Sequence, residues 1–244
     1  MIAQVPNLNE IKLKFIEFLE ESGWSSQFKT FIHSDDFTQI INKLYVLKED
    51  GKRFTPPLKN VFKAFEHSKY NETRVVILGQ DPYNQFGVAN GVAFCCENIP
   101  KPQVSLKFIL KSIYKTVYPE LEIPQTLNPS LRYLSEQGVL LLNTALTCEI
   151  GKSASHYEIW ESFINYAIDT LNHKKDKLVF ILLGKRAQEY EDMIDEEKHF
   201  IIKASHPASA AYGNNDQWDC NDCFNKCNEY LKTNNFKPIN WLTQ

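Results

Sequence analysis

Residues 75–94 read VVILGQDPYNQFGVANGVAF. Val75, Val76, Ile77 and Leu78 form an apolar run, and Gly79 follows at once. β-branched residues in such a run predict a strand buried on both faces, as in a parallel sheet. The chain then turns polar at Gln80-Asp81-Pro82-Tyr83-Asn84. Gly79 permits a sharp exit, and Pro82 steers Asp81 away from helical geometry. Ligand sites of open parallel sheets lie beyond the carboxyl ends of the strands, so Gln80, Asp81 and Tyr83 stand where chemistry is expected. The same composition also suits a plain turn whose Asp caps the next element.

Three more stretches repeat this logic. Residues 138–143 (GVLLLN) end in Asn143, 178–183 (LVFILL) run into Gly184-Lys185, and 200–204 (FIIKA) run into Ser205-His206-Pro207. Helical periodicity is expected over 9–21, 37–47, 58–65, 106–117, 131–137, 157–171 and 222–231. The predicted fold is α/β: one domain over 1–244, with a helical part over 1–50 and a central, mostly parallel, four-stranded sheet covered by helices on both faces. Gln80-Asp81, Asn143, Gly184-Lys185 and His206 then converge on one sheet edge, although they are far apart in the chain.

The bulk properties set bounds. With 244 residues and 43% hydrophobic content the chain can bury a large core. No apolar run approaches the ~20 residues that span a bilayer, and the N-terminal MIAQVPNLNEIKLKF lacks the pattern of a secretory signal, so a soluble cytoplasmic protein is expected, or a nuclear one in a eukaryotic or viral setting. A net charge of −3 argues against indiscriminate coating of nucleic acid but allows a local basic face. Cys95, Cys96 and Cys148 are expected as reduced core thiols. Cys220, Cys223 and Cys227 have a spacing open to two accounts, an incomplete metal site or one face of a helix.

GQDPYN with GVAF behind it closely resembles the water-activating motif of family 1 uracil-DNA glycosylases, usually GQDPYH with a GLAF-type segment. The likeness runs from about Arg53 to the C-terminus, where PINW closes the chain much as in that family. It implies a monomer without cofactor that flips uracil out of single- or double-stranded DNA and hydrolyses the base–sugar bond to begin base-excision repair. Positive charge develops on the sugar and negative charge on the departing base. By resemblance, Asp81 orients the attacking water and steadies the sugar cation, and His206 donates to uracil O2. Asn143 reads the base edge, Phe94 stacks on the ring, Tyr83 excludes a C5 methyl, and Gln80 adds polar contacts. Ser105 matches the serine that closes a Pro-rich, DNA-pinching loop, and it equally suits a helix N-cap. Gly184-Lys185 stands where the family carries Gly-Ser against the DNA backbone; Lys185 fits a phosphate contact or a solvated charge. A DNA-mimicking inhibitor protein is a further expected partner.

Two positions depart from the pattern. Asn84 replaces the motif's final His and cannot become cationic. The expected Leu wedge is absent from HPASAAYGNNDQW, where Tyr212 is the candidate to fill the gap left by the flipped base. Rival functions are a DNA-binding replication accessory of the same fold with weakened catalysis, and a glycosylase for thymine or damaged bases.

Overall fold

A computed structural model of the chain describes residues 7–212 and 217–243, with the side chain of Tyr212 outside the description. The first elements are helices α1 (Leu8–Phe18), α2 (Ser25–His33) and α3 (Asp35–Glu49). Helix α2 was not expected from the sequence: Phe28, Phe31 and Ile32 are its buried residues, too few for a periodic signal. Ser34 caps α3, its hydroxyl accepting from the Phe37 N–H at 3.3 Å.

Next come the two-residue strand β1 (Phe54–Thr55), a 3-10 turn at Leu58–Asn60 and helix α4 (Lys63–His67). The single helix expected over 58–65 is thus two short pieces. Strand β2 (Val75–Gly79) leads to helices α5 (Val104–Thr116) and α6 (Arg132–Ser135), then strands β3 (Val139–Asn143) and β4 (Cys148–Glu149). Helix α7 (Tyr157–Lys174) outruns its expected end at 171. Strand β5 (Val179–Leu183), helix α8 (Lys185–Gln188), strand β6 (Phe200–Ala204), and helices α9 (Ser209–Tyr212) and α10 (Cys223–Thr233) complete the order.

The four long strands pair in the order β3-β2-β5-β6, every pair parallel, while β1 and β4 form a separate antiparallel ribbon. From β2 the chain goes first to one neighbour, β3, and later to the other, β5. Such a reversal opens a crevice at the carboxyl edge.

Both faces of the sheet are covered, and alternate residues serve different cores. Val76, Leu78, Leu140, Leu142, Phe180 and Leu182 pack beneath α1–α4 and α7. Val75, Ile77, Val139, Leu141, Val179 and Ile181 pack beneath α5, α10 and the 88–96 segment. Each large side chain buried this way contributes roughly 1.5–3 kcal/mol. Cys223 and Cys227 are buried on the inner face of α10, with Cys220 buried just ahead of it. Among the described residues no group of three or more His, Cys, Asp or Glu side chains is disposed to hold a metal, and no helix is long and apolar enough to cross a membrane.

Candidate active site

The strand ends meet at a cavity of about 480 Å³, within the range that suits a small ligand. Gln80, Asp81, Tyr83, Phe94, Ser105, Asn143 and His206 all line it.

Asp81 leaves the end of β2 and its Oδ2 accepts from the Ala154 N–H at 2.7 Å. Burial pushes its carboxyl above the ordinary 3.8, and the Ala154 bond pulls partly back. The loop that supplies this donor is fastened to the Asp81 turn twice more. Gly151 N–H donates to Asn84 O at 2.9 Å, and Asn84 Nδ2 donates to Ser153 Oγ at 3.2 Å. Ala154 holds its place with φ at 64°, a left-handed conformation that costs a non-glycine residue. Residues 150–156 (IGKSASH) carry no motif in the sequence, and their small residues are the one signal there.

Asn143 sits beside Gly79 in the parallel register and is buried. Gly79 is a close-approach glycine, since a Cβ there would lie 2.8 Å from both Asn143 Oδ1 and Phe94 Cζ. Strand β3 also holds the Phe94 segment, through Ala93 N–H to Leu141 O at 3.1 Å. Phe94 has φ 63° and is buried at the cavity wall; Tyr83 OH donates to its carbonyl at 3.0 Å.

His206 follows β6. Its ring centroid is 6.0 Å from that of Phe94. Its Nδ1 accepts from the Ala208 N–H at 3.3 Å, which leaves the ring proton on Nε2. Burial lowers its pKa below the ordinary 6.5, so the imidazole is neutral near pH 7. The same ring therefore caps the turn through Nδ1 while Nε2 is left to donate. Gly184, with φ 92°, lies against it: a Cβ there would come 2.9 Å from His206 Cβ.

One of these readings needs correction. Ser105 is not the N-cap of α5. Gln103 holds that position, and Ser105 is the second residue of the helix, buried, with access to the cavity. Lys185 opens α8 with an exposed side chain and does not line the cavity. Tyr212 ends α9, and the side chain expected to act as a wedge lies outside the described residues.

A family model described as "Uracil DNA glycosylase superfamily" matches residues 65–232. The chain belongs to this superfamily. A uracil-DNA glycosylase of Acinetobacter baumannii (strain SDF) is 35% identical over 239 residues, covering 98% of this chain and 98% of the relative. That alignment takes in the N-terminal helices as well as the motifs. The crystal structure of mimivirus uracil-DNA glycosylase superposes with a TM-score of 0.80 at 30% identity, covering 93% of this chain and 88% of that one. A variant of the mimivirus UNG, solved in complex with UGI, superposes with a TM-score of 0.79 at 30% identity, covering 89% of this chain and 87% of the neighbour.

Proposed function

We propose that this chain is a uracil-DNA glycosylase: it takes uracil out of the DNA stack, hydrolyses the bond between base and sugar, and leaves an abasic site for base-excision repair. The observation that carries this is one cavity lined by a carboxylate, an amide and a neutral imidazole from three strand ends.

The roles follow from the chemistry of each group. Asp81, as the anion, faces the sugar as it gains positive charge and orders the attacking water. Its accepted bond from Ala154 leaves the other oxygen for that water. His206 donates from Nε2 to uracil O2 as charge builds there; a neutral ring serves because the bond must strengthen as the base departs. The Asn143 amide pairs with the uracil edge, accepting from N3–H and donating to O4. Cytosine offers the reverse pattern and would leave buried polar groups unpaired. Phe94 stacks on the extruded ring. Tyr83, fixed by its bond to the Phe94 carbonyl, stands against C5 and excludes the methyl of thymine. Gln80 supplies a polar contact at the floor, Ser105 and Gly184 border the backbone, Lys185 offers a charge to a more distant phosphate, and Tyr212 fills the space the base leaves. A monomer acting wherever DNA is held, in cytoplasm or nucleus, meets these requirements without a cofactor. An inhibitor protein that mimics DNA would seat on the same rim.

Uracil release from a uracil-containing oligonucleotide tests the assignment. Asp81→Asn and His206→Ala are each expected to slow single-turnover release by about 10²–10³-fold, with DNA binding retained. DNA binding without any release by the wild-type protein would overturn the assignment.

A further inference from the structure

One pair of side chains at the cavity rim has no part in the chemistry above. Phe86 is 73% exposed, the most exposed large apolar side chain among the described residues. It directly follows Asn84 and Gln85, which line the cavity. The guanidinium carbon of Arg53 stands 4.7 Å from the centre of the Phe86 ring.

Arg53 is fixed in place by backbone. Its carbonyl accepts from Ile150 N–H at 2.8 Å, next to Gly151, whose own N–H bonds Asn84 O. The segment leading into β1, which carries Arg53, the loop carrying Ala154 and the turn carrying Asp81 are therefore one stitched rim. Lys52 is drawn to Glu149 at 3.3 Å, whereas the Arg53 charge rests over the ring.

We propose that Phe86 and Arg53 form a platform for a nucleotide flanking the extruded uracil: the base stacks on the open face of the ring and the guanidinium takes the adjoining phosphate. The proposal rests on the glycosylase function, which brings a strand to this rim. A single ring is too small for a stable protein interface, which needs about 800 Å² per partner. It is enough for one base, because base–aromatic stacking acts ring by ring and tolerates any sequence. The cation beside it complements phosphate.

The test uses single-stranded oligonucleotides whose uracil nucleotide resists cleavage through a 2′-fluoro sugar, with 2-aminopurine placed on either side. On binding wild-type protein, fluorescence should be quenched at one of the two positions. Phe86→Ala should lose that quenching and weaken Kd on the order of tenfold, the effect of one lost stack. Phe86→Tyr should keep both. Arg53→Ala should flatten the salt dependence by about one phosphate contact. With cleavable substrate, Phe86→Ala should raise KM while kcat and the melting temperature stay at wild-type values. Wild-type affinity and quenching in Phe86→Ala would overturn the platform alone. Absence of uracil release by the wild-type protein would overturn the function, and the platform with it.

Discussion

Asp81 meets opposing demands. Burial raises its carboxyl pKa in the fold, so between its ordinary 3.8 and the raised value the folded chain holds more protons than the unfolded one. Stability therefore falls as pH rises through that window, and the cost persists above it. Asp81→Asn can keep the Ala154 bond through its amide oxygen while shedding the charge. It should melt higher than wild type at pH 7, although it has lost activity, and the two should melt alike below pH 3.8; equal melting curves at pH 7 would contradict the buried charge. The Ala154 N–H is what restrains the shift, and Asn84 helps to hold its loop through Ser153. Asn84 thus supports the carboxylate without being cationic. Ser153→Ala should move the acid limb of the pH–rate profile upward, because a loosened donor lets the Asp81 pKa climb. The rate at neutral pH should fall only a few-fold, as expected from a hydrogen bond worth about 0.5–1.5 kcal/mol. An unmoved acid limb would show that the latch does not reach Asp81.

At the scale of elements, the strand ends are set by glycines that admit their neighbours. Gly184 combines a φ of 92° with direct contact against His206. Gly184→Ala should strain the β5–α8 turn and push the imidazole off its line. We expect uracil release to drop at least tenfold, with a stability loss of about 1–3 kcal/mol from overpacking; a wild-type rate in that variant would remove Gly184 as the seat of His206. The sequence suggested contact between Gly184-Lys185 and the DNA backbone. The structure adds a nearer role for the glycine, invisible in sequence because its partner lies on another strand. The strands themselves were legible: an apolar run ended by a polar residue reads plainly when both faces are buried. Helix α2 and the divided α4 region were not, because three or four buried residues carry too short a period.

At the scale of the whole molecule, the N-terminal helices belong to the core under one face of the sheet. Trp24 and Phe28 are fully buried there, stacked at 5.0 Å, and both meet Phe65 edge-on at 4.9 Å. Trp24 Nε1 also donates to Ser68 O at 2.7 Å. Trp24→Ala should destabilise by about 3–5 kcal/mol from the cavity, measured by urea unfolding, and the Ser68 carbonyl loses its partner as well. A loss under 1 kcal/mol would mean that these helices are dispensable to the core. The place of this segment is structural: it covers one face of the sheet at whose carboxyl edge Asp81 stands.

The residue types of the site, the strands that bear them and their common edge were settled by local sequence, since a parallel sheet buried on both faces imposes its pattern on every strand. The donor to Asp81, the burial that keeps His206 neutral, the seat provided by Gly184 and the pairing of Phe86 with Arg53 were decided only by tertiary structure. Each depends on two stretches remote in the chain approaching within a few ångströms, and periodicity in one stretch carries no information about the other.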